Sequence, residues 1–379
     1  MIYLDNSATT QPYDEVIEAF RKTALDYYAN PSSLHRKGGE VERLVRQARG
    51  SIASLLQIDS DEVVFTSGGT ESNNLAIKGT AFEHMNRGKH LITSQIEHAS
   101  CMESFRQLEK MGFNVTYLPV GSDGQVSKSD LAEALTKDTI LVSLMHVNNE
   151  VGSIQPIKEL GTIIKENSRA LFHIDDVQGI GKVSLPIPDT VDLVSYSAHK
   201  FHGLKGNGLL YKRRNVSLFP LLSGGGQEKE VRSGTENVPG IVATAKALRL
   251  YLQQSQSNSE KLHHLKSKLQ NELGAINEVV INTPRNSAPH ITNFSIPGIK
   301  PEVLIHALEE KDIFVSTRSA CSSKTAEPSH VLTALGVSNA RARSAIRISL
   351  SFQSTEKEIE VFLVELKKAI HKLKQVMRY

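Results

Sequence analysis

From about residue 36, apolar side chains recur along the chain at intervals of three and four residues. Charged residues such as Glu42, Arg43 and Arg46 fall between them. This spacing puts the apolar side chains on one face of a helix, because an α-helix repeats every ~3.6 residues. The pattern therefore predicts an amphipathic helix. Its predicted buried face consists of Val41, Leu44, Val45, Ala48, Ile52, Leu55 and Leu56.

Short runs of β-branched and other apolar residues follow this helix, and helical stretches separate them. Such runs are typical of buried strands. Strands that alternate with helices favour a mostly parallel sheet, so we expect an α/β fold. The predicted strands are 63–66, 91–93, 115–118, 140–143, 171–174 and 192–196.

The last third of the chain predicts a smaller unit. Segment 254–259 contains only Gln, Ser and Asn, so we interpret it as a linker after a long helix that ends near Gln253. We predict a large domain, 15–258, and a small α+β domain formed by 1–14 and 259–379. The elements predicted for the small domain are helices at 261–273, 302–310 and 355–376 and strands at 279–281, 291–295 and 345–350.

The composition is that of a globular protein of mild charge. The 379 residues carry 44 Lys and Arg against 41 Asp and Glu, a net charge of +3. This balance does not indicate a nucleic-acid or membrane partner. Cys101 and Cys321 lie far apart, so neither a disulfide framework nor a zinc ribbon is indicated. The N-terminus lacks the pattern of a signal peptide, and no apolar run reaches the length of a membrane span. We expect a soluble, cytoplasmic protein.

Two polar residues at the ends of successive predicted strands form a chemically matched pair. Asp175 ends the strand at 171–174, and Lys200 lies just after the strand at 192–196. Open α/β sheets bind ligands at the carboxyl ends of their strands. Pyridoxal phosphate needs a lysine amine for its aldehyde and a carboxylate that keeps its ring nitrogen protonated. The pair predicts this cofactor, although each residue alone is more typical of a surface lysine or an ordinary strand-end aspartate.

A phosphate site is predicted after the strand at 63–66. The strand runs into Ser67-Gly68-Gly69-Thr70, where small residues open a helix with free N–H groups. Ser197 and His199, beside the lysine, supply further donors. A connection without a ligand has the same pattern, so this segment alone leaves both interpretations open. The chain has no Walker motif and no G-x-G-x-x-G after a strand, which disfavours ATP and dinucleotides.

Three more polar residues lie at or within predicted strands. His98 and Asn149 follow the strands at 91–93 and 140–143, where an imidazole stacks on a flat cofactor or carries protons and an amide contacts the ring or a substrate. Arg347 interrupts an apolar strand, where its guanidinium binds a substrate carboxylate or faces solvent. Each of the three is alone compatible with a purely structural role. No histidine belongs to a metal-binding motif, so no metal site is predicted.

Cys321 lies in a small, polar stretch that also contains Arg318 and Lys324. Such surroundings favour a reactive thiolate. Cys101 provides an internal comparison, because it lies at the start of a predicted helix, where a cysteine usually packs as a small hydrophobe. Cys321 is therefore the candidate nucleophile, and an exposed cysteine without a function is the alternative.

Taken together, the motifs resemble the cysteine desulfurases, pyridoxal-phosphate enzymes of the aminotransferase-like fold type I, over essentially the whole chain. The resemblance implies a mostly parallel, seven-stranded type of sheet flanked by helices, and a smaller α+β domain with the catalytic cysteine loop. Two departures are Leu204, where a proline is common, and Ser351-Phe352, where a glycine-arginine pair is common. The motifs that carry the resemblance are 3–10, 66–74, 97–98, 146–150, Asp175 with Gln178, 197–200, 232–237, 319–323 and 344–347.

The resemblance also implies roles for individual residues. Lys200 would carry the cofactor, Cys321 would take the sulfur, and Arg347 would hold the substrate carboxylate with Asn149. Thr235 would reach the phosphate in the neighbouring subunit of a homodimer. The residues that would contact the cofactor ring are Asp175, His98, Asn149 and Gln178. Those that would bind its phosphate are Gly69, Thr70, Ser197 and His199.

The implied reaction converts L-cysteine to L-alanine and leaves the sulfur on Cys321 as a persulfide. Lys200 would remove the Cα proton, and His98 would donate and accept protons. The spacing from Cys321 to Pro328 resembles the subgroup with a long mobile catalytic loop, which delivers sulfur to acceptor proteins for iron-sulfur cluster assembly or for tRNA and thio-cofactor synthesis. Two alternatives remain open: an enzyme for a related amino acid, such as a selenocysteine lyase, and a non-catalytic scaffold.

Overall fold

The computed structural model describes residues 1–317 and 328–376. Its strands are β1 (Ile2–Tyr3), β2 (Val63–Thr66), β3 (His90–Ser94), β4 (Asn114–Leu118), β5 (Thr139–Met145), β6 (Leu171–Asp175), β7 (Leu193–Ser197), β8 (Gly208–Lys212), β9 (Val280–Ile281), β10 (Ile291–Ser295), β11 (Ile313–Phe314) and β12 (Ala345–Ser349). Its helices are α1 (Asp14–Asp26), α2 (Arg36–Leu56), α3 (Gly69–His84), α4 (Ala99–Lys110), α5 (Lys128–Ala134), α6 (Ile157–Asn167), α7 (Val238–Gly274), α8 (Pro301–Glu309), α9 (His330–Ala334), α10 (Asn339–Ala342) and α11 (Glu356–Val376).

A seven-stranded sheet forms the centre of the molecule, with the order β2-β8-β7-β6-β5-β3-β4. Strands β4, β3, β5, β6 and β7 pair in parallel, whereas β8 is antiparallel to both of its neighbours. The predicted α/β class and mostly parallel sheet are confirmed. The predicted amphipathic helix is α2, and Val41, Val45, Ala48 and Ile52 are buried on its inner face.

Strand β8 is absent from the predicted set. Its sequence follows a glycine-rich stretch that also suits a loop, and the strand is recognisable only through its pairing with β2 and β7. Gly208 allows this pairing, because a Cβ there would lie 2.5 Å from the Cα of Gly68. The strand therefore packs directly against the turn that precedes α3.

The N-terminal segment joins the C-terminal part of the chain. Strand β1 pairs in parallel with β11, and Asp5 forms a β-bridge with Ser349 at the end of β12. Strands β12, β10 and β9 form a separate three-stranded antiparallel sheet. The residues just after β1 are thus held between the two larger sheets, where they reach Lys200.

The predicted linker at 254–259 is wrong, because these residues lie inside the 37-residue helix α7. The segment contains no Gly or Pro to interrupt helical hydrogen bonding, and its side chains have tertiary partners. Gln254 accepts a hydrogen bond from Tyr13, and Ser255 donates one to the carbonyl of Gly181. The proposed domain boundary at 258/259 therefore falls within a helix, and the division into two domains stays a prediction.

One large hydrophobic cluster joins one face of the central sheet to α7 and α11. On the opposite face, residues such as Leu141 and Leu193 belong to separate clusters that include α3. In the part of the chain that the structure describes, no helix is both long enough and apolar enough to cross a bilayer.

The continuity of α7 predicts the effect of a proline within it. We expect Asn258→Pro to lower the free energy of unfolding by about 3 kcal/mol, because proline removes a helical hydrogen bond and clashes with the preceding turn. Asn258→Ala is the control and should change it by less than about 1 kcal/mol. Urea denaturation followed by circular dichroism measures both, and equal stabilities of the two variants would indicate a linker.

Candidate active site

A cavity of about 370 Å³ lies at the carboxyl ends of the central strands. Strands β3, β5, β6 and β7 are parallel, so the residues that follow or end them meet at one edge of the sheet. Most of the predicted site residues line this single cavity. They are Gly69, Thr70, His98, Asn149, Asp175, Gln178, Ser197, His199, Lys200 and Arg347.

Lys200 ends a 3₁₀ turn, Ala198–Lys200, that follows β7 directly. Its Nζ donates hydrogen bonds to the carbonyl oxygens of Ser7 (2.6 Å) and Ala8 (2.9 Å). Its own carbonyl accepts a bond of 3.3 Å from Nζ of Lys182. Burial, and then the charge of Lys200, lower the pKa of Lys182 to about 7. The lysine is thus fixed at its backbone and at its amine.

Asp175 ends β6 and is buried. Its Oδ2 accepts a hydrogen bond of 2.7 Å from Nδ2 of Asn73, and its Oδ1 accepts one of 3.1 Å from the N–H of Val177. The thiol of Cys101 lies 3.9 Å from Oδ2. Both carboxylate oxygens of Asp175 are hydrogen-bond acceptors that the protein holds in place, so Asp175 is suited to pair with a protonated ring nitrogen.

Cys101 has the predicted structural character. It is fully buried in α4, and burial followed by the charge of Asp175 raises the pKa of its thiol well above the usual value. A thiol in this state is a poor nucleophile, because only the thiolate is reactive. Cys321, the predicted nucleophile, lies outside the described residues.

His98 is the N-cap residue of α4. Its Nδ1 lies 2.8 Å from Oγ of Ser100 and accepts a hydrogen bond of 3.2 Å from the N–H of Ser100. Burial lowers the pKa of His98 below its ordinary value, so the imidazole is neutral at neutral pH. The ring is therefore available to contact a flat cofactor without adding a charge.

The start of α3 provides a cradle for an anion. Gly68 has φ = 150°, and a Cβ on Gly69 would lie 2.9 Å from the side chain of Val177, so both positions require glycine. The N–H groups of the first helical turn have no partner within the helix and favour a phosphate. Burial, then the charges of Lys200 and Lys205, lower the pKa of His199 to about 4, so this residue acts there as a neutral donor.

Arg347 lies on β12 and is only 1% exposed. Its Nη1 donates to the carbonyl oxygen of Asn149 (2.9 Å), and its Nη2 donates to Oδ1 of Asp5 (2.7 Å). A guanidinium has five N–H donors, so further donors remain for a ligand in the cavity that Arg347 lines. Burial raises the pKa of Asp5, although its pairing with Arg347 opposes the shift.

Gln178 provides an independent test of whether the cavity fits the predicted cofactor. Its Nε2 donates to the carbonyl oxygen of Ser7 (2.9 Å), whereas its buried Oε1 has no partner among the residues that the structure describes. A buried acceptor without a donor is costly, so this atom suits a ligand hydroxyl or a bound water. Together with a lysine, a charged carboxylate and a phosphate cradle, it fits pyridoxal phosphate.

Thr235 does not reach this cavity. It is exposed on the connection between β8 and α7 and lines a different surface depression. The role implied for it requires a second subunit.

Several residues of the site are not predicted from the sequence. They are Asp5, Ser7, Ala8, Asn73 and Ser100. Asp5 and Arg347 are 342 positions apart, and Asn73 and Asp175 are 102 apart, so no local pattern relates the partners. The polar Asn73 within an otherwise buried stretch of α3 is the one available signal, because buried amides usually have a hydrogen-bonding partner.

The chain matches the class-V aminotransferase family over residues 2–362. A NifS/IcsS protein homolog from Lactobacillus delbrueckii subsp. bulgaricus is 46% identical over 367 residues, which is 96% of this chain and 95% of that protein. The cysteine desulfurase IscS of Dictyoglomus turgidum is 44% identical, with 100% and 96% of the two chains covered. A solved NifS-like protein superposes with a TM-score of 0.92 at 39% identity and 98% and 99% coverage. A structure of SspA in complex with cysteine gives 0.82 at 36% identity, with 94% and 100% coverage.

Gly179 follows the cavity-lining residue Gln178 and has no room for a side chain. His146 and Asp176 form a buried pair at 2.6 Å, and a Cβ on Gly179 would overlap both side chains. We expect Gly179→Ala to lower the free energy of unfolding by about 2 kcal/mol and to weaken cofactor binding, because Gln178 must move with the turn. Gly50→Ala is the matched control, since nothing lies within 4 Å of its Cβ position. Thermal unfolding and cofactor titration measure both effects; equal behaviour of the two variants would contradict the prediction.

Proposed function

Because the chain belongs to the cysteine desulfurases of the class-V aminotransferase family, we propose that it removes sulfur from L-cysteine, releases L-alanine and holds the sulfur on Cys321. The observation that carries the proposal is the meeting of Lys200, Asp175 and Arg347 in one cavity. These three supply an amine for the cofactor, a carboxylate for its ring and a guanidinium for an amino-acid carboxylate.

Pyridoxal phosphate is the cofactor of this family. When bound, it supplies an aldehyde that links to amines and a ring that takes up electrons. Lys200 would hold it covalently, and Asp175 would keep its ring nitrogen protonated. The phosphate would bind at the start of α3 with Gly69 and Thr70, together with donors from Ser197 and His199. Ring contacts would come from His98, Asn149 and Gln178.

Arg347 and Asp5 orient the substrate. The guanidinium is fixed by the Asp5 carboxylate and by the carbonyl of Asn149, so its remaining donors have a defined direction. A rigid guanidinium binds a carboxylate with little loss of side-chain freedom. We infer that it binds the α-carboxylate of L-cysteine and that the amide of Asn149, on the same side of the cavity, assists.

Lys200 moves the proton at Cα of the substrate. Its Nζ is held by the carbonyls of Ser7 and Ala8, which position the amine at the cavity wall. An amine in this position accepts the Cα proton as a general base. The backbone contact from Lys182 restrains the turn on which Lys200 lies.

Cys321 takes the sulfur. Its thiolate attacks the substrate sulfur, and a sulfur-sulfur bond forms while the bond between Cβ and sulfur breaks. The electron pair of the broken bond stays with Cβ, which takes up a proton, so the remaining fragment leaves as L-alanine. The persulfide sulfur then passes to an acceptor protein, for example in iron-sulfur cluster assembly or tRNA thiolation. A free thiol with this role requires a reducing compartment, so we place the enzyme in the cytoplasm.

We propose that the enzyme is a homodimer. Thr235 is exposed and outside its own cavity, which suits a contact to the phosphate of a neighbouring subunit. Three large apolar side chains near α1 support an interface there: Leu25, Tyr28 and Leu34 are 62%, 81% and 106% exposed. Exposed apolar side chains that lie together in one patch mark protein contacts, and we propose that these three form such a patch.

Replacing Cys321 tests the nucleophile. We expect Cys321→Ala to lower alanine formation from L-cysteine at least about 100-fold, because no sulfur acceptor remains. The absorbance of the bound cofactor should persist, since Lys200 and Asp175 are intact. The measurement is the rate of alanine formation, with L-cysteine as the substrate and a thiol reductant present. Cys101→Ala is the thiol control; it removes a weak donor to Asp175 and should lower alanine formation far less than Cys321→Ala does. Alanine at the wild-type rate from Cys321→Ala would remove the nucleophile assignment.

Replacing two apolar side chains tests the dimer. We expect Tyr28→Asp combined with Leu34→Asp to convert the dimer to a 41.7 kDa monomer, because buried charge opposes association. Light scattering coupled to size exclusion measures the mass. Val364→Asp is the control, because Val364 is also exposed, at 51%, but lies on α11. A dimer that survives the double substitution would place the interface elsewhere.

A further inference from the structure

A continuous chain of hydrogen bonds connects His98 to Asp175. Nδ1 of His98 lies 2.8 Å from Oγ of Ser100. Oγ of Ser100 lies 2.9 Å from Nδ2 of Asn73, and the same nitrogen lies 2.7 Å from Oδ2 of Asp175. Asn73 is 1% exposed, Asp175 is 5% exposed and Ser100 is 9% exposed. The proposed ring-stacking residue and the proposed ring-nitrogen partner therefore belong to one buried network.

The direction of each bond follows from the chemistry of the groups. A carboxylate only accepts, so Asn73 presents its NH₂ group to Asp175, and an amide turned the other way would set two oxygens against each other. The second N–H of this group points to Ser100 Oγ. The serine oxygen accepts there, so its single proton is free to be donated to His98.

His98 receives two donors on the same atom. Besides the hydroxyl, the backbone N–H of Ser100 donates to Nδ1 at 3.2 Å, which is the ordinary bond of a helix N-cap. The hydroxyl proton can rotate away, but the backbone N–H cannot. A proton on Nδ1 would face that N–H directly. The proton of the neutral imidazole therefore lies on Nε2.

We propose that Ser100 and Asn73 are positioning residues that hold His98 as a neutral imidazole with its proton on Nε2, so that His98 is a fixed hydrogen-bond donor in this site. Proton transfer at the substrate then falls to Lys200, because a neutral imidazole is a very weak acid and protonation at Nδ1 requires the N-cap bond to break. The proposal deepens the desulfurase assignment and rests on it only for the identity of the reaction.

The charged groups around His98 shift its pKa in opposite directions. Burial lowers its pKa most, Lys200 and His330 lower it further, and Asp175 and Glu150 raise it. These groups lie after β7, on α9, on β6 and after β5, so carboxylates and cations both face the ring. These charges do not determine which ring nitrogen of His98 carries the proton. The hydrogen bonds from Ser100 do.

The first test determines the tautomer in the cofactor-loaded enzyme labelled with ¹⁵N-histidine. We expect a protonated Nε2 and an unprotonated Nδ1 at neutral pH, and a titration midpoint below the ordinary value of a histidine. In Ser100→Ala the midpoint should rise by about half a pH unit or more, because one donor to Nδ1 is lost. A proton on Nδ1 in the wild type, or an unchanged midpoint in Ser100→Ala, would overturn the proposal.

Ser104→Ala is the matched control for this test. Ser104 lies on the same helix and is also buried, at 1% exposed, but its hydroxyl donates to the backbone carbonyl of Ser100. The His98 tautomer and midpoint should be unchanged in this variant. A shift equal to that of Ser100→Ala would mean that loss of helix packing, and not loss of the donor, moves the titration. This spectroscopic result does not depend on whether the enzyme uses L-cysteine.

A second test separates donation from proton transfer. A glutamine side chain presents an N–H donor but cannot exchange a proton near neutral pH. We expect His98→Gln to form alanine at least about tenfold faster than His98→Ala, because the donor is kept. Equal rates for the two variants would overturn the proposal, because an N–H donor at this position would then make no difference to the reaction. Cofactor absorbance in both variants distinguishes this outcome from loss of the cofactor.

Discussion

The burial of the Asp175 carboxylate is the constraint on which the rest of the site depends. A carboxylate inside a protein must be surrounded by donors, because water no longer solvates it. Here the donors come from three directions: the amide of Asn73 on α3, the N–H of Val177 after β6 and the thiol of Cys101 on α4. Helices α3 and α4 must therefore lie close enough to the end of β6 for their donors to reach the Asp175 carboxylate.

The same helices carry the other functional groups. Helix α3 begins at the proposed phosphate cradle, and α4 begins at His98. A helix that supplies a donor to Asp175 therefore also fixes a group that would contact another part of the cofactor. Gly68 and Gly208 allow β8 to approach the start of α3, and Gly69 allows the start of α3 to lie against Val177 and Ser197.

The N-terminal segment closes the site from the other side. Because β1 pairs with β11, Asp5 reaches Arg347, and the carbonyls of Ser7 and Ala8 reach Lys200. A few residues at the start of the chain thus orient both the amine that would bind the cofactor and the guanidinium that would bind the substrate. The site is assembled from three parts of the chain that are distant in sequence.

The sequence by itself determined the class of fold and the residues with distinctive chemistry. Strands 63–66, 91–93, 115–118 and 171–174 are recognisable because β-branched, aromatic and other apolar residues are enriched in them. Lys200, Asp175, His98 and Asn149 are recognisable because they end or follow predicted strands. Only the tertiary structure decided the continuity of α7, the existence of β8 and the partners of Asp175, Arg347 and Lys200. Those features depend on hydrogen bonds and packing between residues far apart in the chain, and local periodicity contains no information about them.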